Sequence, residues 1–292
     1  MENEQTNVME QELPRLPGDL PLSLRALLDA GVHFGHQTKR WNPKMRPFIY
    51  GARNGIHIID LDQTAQLFRR AYDKIVDEVS KGGSVLFVGT KRQAQDIIVE
   101  EANRCQMHYV TNRWLGGTLT NFRTIKSGLE RLRAIERMAE DGTFISLTKK
   151  EVVYVNRERE RLEKYLGGIR NITGLPALMF IVDSHQEHIA VDEANKLSIP
   201  IVAITDTNCD PDRINFVVPG NDDAIRSIKL VTGRVADACI EGMQRRKDIA
   251  QKSEEPVDNQ TRSEQGGPQV VMATRNRGAG QQRHRSQEEK NG

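Results

Sequence analysis

The sequence predicts a doubly wound α/β fold, a parallel sheet covered by helices on both faces, with an inserted antiparallel coiled-coil hairpin of helices. Three observations predict it. Short, continuous apolar runs of strand length occur at 84–88, 177–183, 199–206 and 215–220, the pattern of strands buried on both faces. These runs alternate with amphipathic helical segments, as a parallel sheet with crossover helices requires. Between the first run and the rest, residues 121–166 carry two apolar stripes at helical spacing and no strand signal.

In chain order, Pro21 to Ala30 reads as a short helix that Gly31 ends. The loop that follows, GVHFGHQTKRWNPKMRPFIYGARNGIHIID at 31–60, places apolar pairs on either side of Asn54-Gly55, which predicts a tight hairpin. From Asp62 to Ser80 the residues Leu67, Ala71, Ile75 and Val79 lie on one helical face, and Lys81-Gly82-Gly83 closes the helix. SVLFVGTKRQAQDIIVEEANRC then reads as strand, turn at Gly89, and a helix bearing Ile97, Ile98 and Ala102. In the insert, Phe122, Ile125, Leu129, Leu132, Ile135 and Met138 form one stripe, and Val152, Val155, Leu162 and Leu166 a second. Arg159 interrupts the second stripe. Helices from about Glu187 to Leu197 and from Asp222 to about Met243 complete the domain. The expected organisation is an acidic extension over 1–20, an α/β domain over 21–245 with its insert at 121–166, and a disordered polar tail over 246–292 that is nearly devoid of large apolar residues.

Composition narrows the function classes. The hydrophobic fraction of 37% supports a real core, and no stretch approaches the roughly 20 apolar residues that a membrane-spanning helix needs. Arg15 is the only basic residue in the first 22, unlike a secretory or organelle leader, so a bacterial cytoplasmic location is expected. Cys105, Cys209 and Cys239 are too few and too scattered for a disulfide framework or a CxxC zinc knuckle. The 42 basic and 40 acidic residues nearly cancel in sum, yet opposite charges can still segregate in space.

Sheets of this kind often bind nucleotides at the carboxyl ends of their strands. The turn after 84–88 is Gly89-Thr90-Lys91-Arg92-Gln93, which lacks both the GxGxxG and the GxxxxGK[ST] patterns that wrap backbone amides around phosphate. Lys91 and Arg92 at a helix start could still meet a phosphate, or belong to a solvated turn. His33 and His36 could serve as base or ligand but lie among glycines, where packing or hydrogen bonding explains them at least as well. Asp183, His185, His188, Asp206 and Cys209 follow two strands directly. Asp183, His185 and Asp206 are therefore candidate ligands for a divalent ion, with helix caps and turns as the alternative. No nucleophile elbow and no singled-out carboxylate pair is present, so the expectation is a protein that is not an enzyme, with no required cofactor and no small-molecule substrate.

What recurs is cation beside aromatic and glycine: Lys39-Arg40-Trp41, Lys44 to Phe48, Arg53-Asn54-Gly55, Asn112 to Gly117 and Asn121-Phe122-Arg123. Lys and Arg neutralise phosphates, aromatic rings stack on unpaired bases, and glycine permits close backbone approach. The rival reading makes Trp41 and Trp114 core anchors and the cations ordinary surface.

These clusters, in this order, resemble the bacterial small-subunit ribosomal protein two family. The matching stretches are 31–61, LFVGTKRQA at 86–94, NRWLGGTLTNF at 112–122, DGTF at 141–144, LTKKE at 147–151, LEKYLGGI at 162–169 and 188–225, spanning about residues 21–245. The resemblance implies a Rossmann-like (flavodoxin-like) domain with a coiled-coil hairpin. It also implies a structural component of the small subunit that binds ribosomal RNA between head and body, beside neighbouring ribosomal proteins, and helps dock the multi-repeat ribosomal protein one that recruits messenger RNA. Carried over by motif, the RNA-contacting residues are Lys39, Arg40, Trp41, Arg46, Arg53, Lys91, Arg92, Arg113, Trp114 and Arg123. The hairpin cations Arg131, Arg133, Lys149 and Lys150, and the tail arginines Arg275, Arg277, Arg283 and Arg285, are looser extensions of the same idea.

Overall fold

A computed structural model describes residues 22–254 apart from 143, 145 and 146. The 1–20 extension and the chain after Glu254 lie outside the described residues. A short helix α1 (Leu24–Asp29), capped by the Ser23 side chain, leads into β1 (Phe34–Gln37), β2 (Ile49–Arg53) and β3 (Ile56–Ile59). The expected hairpin is β2–β3. Asn54 and Gly55 both take positive φ, 51° and 76°, the conformation a two-residue type I′ turn demands and the one this residue pair tolerates best. The unpredicted β1 adds antiparallel to the other edge of β3, giving the order β1-β3-β2. Its register shifts between Phe34 and Gln37, an irregularity that blurs the alternation a sequence reading depends on.

Helix α2 (Leu61–Ser80) starts at an Asp60 side chain that accepts from Asp62 and Gln63 backbone N–H groups. It buries Phe68, Ala71, Ile75 and Val79. Beyond it lie β4 (Val85–Val88), α3 (Arg92–Arg104), β5 (His108–Val110), the hairpin helices α4 (Phe122–Glu140) and α5 (Lys149–Leu166), β6 (Leu178–Val182), α6 (His188–Lys196), β7 (Ile201–Thr205), β8 (Phe216–Pro219) and α7 (Ile225–Glu254). Strands β4 to β8 form one all-parallel sheet in the order β5-β4-β6-β7-β8. Numbered from its own first strand, this is the 2-1-3-4-5 order of doubly wound folds of the flavodoxin type, with the switch point between β4 and β6.

Successive side chains feed two cores. Val85, Phe87, Phe180, Val202 and Ile204 pack under α2, α3 and α7. Leu86, Val88, Met179, Ile181 and Ala203 pack against α6 and the base of the hairpin. Phe87 and Phe180 meet edge-on at 5.5 Å; full burial of one such side chain stabilises the fold by about 1.5–3 kcal/mol. Gly128 lies against Leu166, and Arg131 bridges Glu158 at 2.7 Å. Low numbers on α4 therefore face high numbers on α5, and the hairpin is antiparallel. Thr148 and Glu151 form a reciprocal capping box that starts α5. Helix α7 runs on to Glu254, past position 246, where the sequence reading begins the polar tail.

Candidate nucleic-acid interface

Two regions hold the residues singled out by sequence: the β1–β3 module with its connecting turns, and the carboxyl edge of the parallel sheet. Lys39, Arg40, Arg46 and Arg53 all belong to the first and are exposed. Among the described residues none of the four has a salt-bridge partner, in contrast to Lys44, held at 2.9 Å by Asp210 and 2.6 Å by Asp212. Trp41 is half-buried, its ring centred 5.2 Å from that of His57. The module is anchored to the sheet edge by backbone: Asn42 N donates to Thr207 O at 2.7 Å, and Asn221 N donates to Val32 O at 3.1 Å. Arg92 opens α3, Arg113 follows β5 and Arg123 begins α4; all three are exposed and lack ion pairs among the described residues.

Two expected RNA contacts are placed elsewhere. Lys91 is only 14% exposed and its Nζ lies 2.7 Å from Asp222, 2.6 Å from Asp223 and 3.4 Å from Asp183. Burial works against its charge, but Asp222, then Asp223 and Asp183, outweigh burial and hold the ammonium above its usual range. A lysine engaged by three carboxylates is not a free phosphate ligand. Trp114 is 5% exposed in the core beside α6. Its indole Nε1 donates to Glu193 Oε1 at 3.0 Å, so it anchors packing and offers no face for a base. The same Glu193 carboxylate accepts from the backbone N–H groups of Gly117, Leu119 and Thr120 at 2.7, 2.9 and 3.0 Å. Burial alone would raise this carboxyl; the Thr120, Trp114, Gly117 and Leu119 donors prevail and hold it below its usual range. Glu193 thus organises the WLGGTLT loop that presents Arg113, a role with no local signal, since its partners lie more than 70 residues away.

At the switch point, where related folds bind nucleotides, the chain fills its own crevice. Thr90 donates from both N and Oγ1 to Glu187 Oε1, at 2.9 and 2.5 Å, so the amide that would greet a phosphate meets a carboxylate. Gly89 serves packing: an added Cβ would come within 2.4 Å of Ile98 Cδ1. Asp183 takes a positive φ of 65° and accepts from His185 and Gln186 backbone N–H groups, a local turn. His185 itself is exposed and belongs to no group of clustered ligands among the described residues. The imidazole that reaches the acidic cluster is His36, with Nδ1 3.0 Å from Asp206 Oδ2 and Nε2 3.4 Å from Asp223 Oδ2. The Asp206 hydrogen bond outweighs burial and raises its pKa. His33 is shifted the other way, by burial alone.

A profile of the family described as Ribosomal protein S2 matches residues 27–242. The chain belongs to the ribosomal protein S2 family. Similar proteins include one from Sorangium cellulosum, 75% identical over 80% of this chain and 84% of the relative. One from Lawsonia intracellularis is 60% identical over 80% of each chain. Another, from Nitratidesulfovibrio vulgaris, is 60% identical over 80% of this chain and 86% of the relative. Each is named small ribosomal subunit protein uS2. Members of the S2 family are structural, non-enzymatic proteins of the bacterial ribosome in the cytoplasm, in keeping with the self-filled crevice. No helix among the described residues is long and apolar enough to cross a membrane.

Proposed function

We propose that this chain is a structural constituent of the small ribosomal subunit that binds the subunit's ribosomal RNA, at the junction of head and body, through the β1–β3 module. The observation that carries the reading is that Lys39, Arg40, Arg46 and Arg53, on one anchored module, have no ion pair among the described residues, in a protein that pairs Lys44, Lys91, Arg131 and Arg170 internally. Exposed cations without internal partners are the groups that release counterions when they meet phosphate. Half-buried Trp41 supplies an aromatic edge beside them, and Arg92, Arg113 and Arg123 extend the contact to the sheet edge and the hairpin base. The family resemblance supports a second role, docking of the multi-repeat ribosomal protein one and contact with neighbouring small-subunit proteins.

Sucrose-gradient sedimentation of a cell lysate at moderate and high salt tests the first role. Comigration with small subunits through the moderate wash is expected; a protein that stays at the top in both would overturn it. For the second, small subunits assembled without this chain should retain ribosomal protein one poorly, and retention at the normal level would remove that role.

A further inference from the structure

The β1–β3 module carries an aromatic ring that the fold does not use. Tyr50 on β2 is 82% exposed, more than any other large apolar side chain among the described residues. A single exposed ring is ordinary on a protein surface. Its backbone setting here is not. Ile49 pairs with Ile59 and Gly51 with Ile58, so two steps along β2 answer one along β3, and Tyr50 is left without an opposite residue. An extra residue of this kind bends its strand and re-aims its side chain. Next to it, Gly51 is a glycine that neither space nor conformation demands: an added Cβ would meet nothing within 4 Å, and its φ lies outside the left-handed region. A bare strip of strand therefore borders an outward-turned ring, the setting in which a strand glycine admits a closely approaching ligand. Arginines flank the ring on both sides in sequence. Arg53 ends β2, three residues and about 10 Å along the strand, and Arg46 is folded against its start, where the Arg46 carbonyl accepts from Ile49 N–H. Both are exposed and lack ion pairs among the described residues. Trp41, by contrast, already packs on His57.

We infer that Tyr50 and Gly51 form a stacking platform for one unpaired base of the RNA, with Arg46 and Arg53 on the phosphates to either side of that nucleotide. The inference rests on the RNA-binding reading of the module and adds the kind of RNA that it takes. An aromatic side chain stacks on any base, because every base has a π-face, and rings displayed on strands are a common way for sheets to hold single-stranded RNA. A base inside a duplex has both faces covered by its neighbours and cannot use the ring. The missing side chain at 51 lets the stacked base or its sugar lie close to the backbone. A protein neighbour could also cover an exposed tyrosine, but arginines that flank it without carboxylate partners favour a polyanion.

The test measures binding of the full chain to deproteinised small-subunit ribosomal RNA by filter retention across a range of salt, with a fully paired RNA duplex as the second probe. Tyr50→Ala should weaken binding to the ribosomal RNA by about 5- to 150-fold, the usual loss for one stacked base, and Tyr50→Phe should stay close to wild type. Stacking releases no counterions, so the salt slope of Tyr50→Ala should be unchanged. Binding to the duplex should not respond to Tyr50→Ala. Gly51→Val, which adds bulk where nothing is displaced, should fold and still bind more weakly. Tyr154→Ala, an exposed ring on the hairpin, serves as the control and should bind as wild type. Ultraviolet crosslinking of the wild-type complex, mapped by mass spectrometry, should join Tyr50 to a nucleotide that is unpaired in the RNA. Circular dichroism checks folding; if Tyr50→Ala does not fold, the crosslink and Gly51→Val decide. Wild-type affinity in folded Tyr50→Ala, an equal loss on the duplex, or no crosslink at Tyr50 would each overturn the inference while leaving RNA binding by the module intact. Normal RNA affinity combined with poor incorporation of Tyr50→Ala into subunits would also overturn it, and give the ring to a protein neighbour. If replacement of Lys39, Arg40 and Arg46 by alanine leaves the salt slope unchanged, the RNA-binding reading of the module fails and the inference falls with it.

Discussion

At the scale of single residues, the fate of a cation or an aromatic ring depends on partners far away in sequence. Lys91 and Arg92 are neighbours at a turn, yet one is held by Asp222, 131 positions on, and the other is exposed. Nothing local distinguishes them. Trp41 and Trp114 sit in similar basic, glycine-rich settings, and only Glu193, 79 residues beyond Trp114, decides that the second is an anchor. The weight on Glu193 is testable. Glu193→Gln keeps the shape but substitutes an NH2 donor for an acceptor oxygen that backbone N–H groups face. Hydrogen bonds to a charged group contribute about 1.5–3 kcal/mol, so urea denaturation at neutral pH should show a loss of about 2 kcal/mol or more. The pH dependence has a definite sign. Because the folded carboxyl is held below its unfolded value of about 4.3, its stabilisation is fully present above that value and is lost as pH falls through the lower folded one. The variant should therefore converge on the wild type in acid, and an unchanged gap from pH 7 to pH 3 would contradict the assignment.

At the scale of elements, most of the architecture is legible because burial on both faces writes long apolar runs and helical stripes into the sequence. Strands β4, β6, β7 and β8 and both hairpin helices fall where those patterns place them. What escapes is short or irregular: β5 has three residues and β1 carries a register shift, too little for a period to emerge. The glycine after β4 shows how a motif can mislead by position. Gly89 occupies the place of a phosphate-binding glycine, but its lack of a side chain admits Ile98 and α3 against the sheet. Gly89→Ala should cost about 1–3 kcal/mol through overpacking, read as a lower melting temperature. Gly116→Ala, where an added Cβ meets nothing within 4 Å, should leave that temperature nearly unchanged. Equal effects would mean that close packing of α3 is not what requires glycine at 89.

At the scale of the whole molecule, a net charge of +2 conceals a sorting of cations into two populations. Lys44, Lys91, Arg104, Arg131 and Arg170 neutralise the protein's own carboxylates, whereas Lys39, Arg40, Arg46 and Arg53 of the β1–β3 module have no ion pair among the described residues. If the module meets phosphates, each cation contributes a slope of about 0.7 to 0.9 in log affinity against log salt. Simultaneous replacement of Lys39, Arg40 and Arg46 by alanine should then flatten the salt dependence of ribosomal RNA binding by about 2 to 3 and weaken incorporation into subunits. Arg131→Ala, which removes a cation already paired with Glu158, should leave the slope close to wild type. The comparison separates a docking surface from diffuse attraction, since diffuse attraction responds to total charge and would make each cation count alike. A triple variant with an unchanged slope, or an Arg131 variant that loses as much per charge, would transfer the RNA contact away from this module.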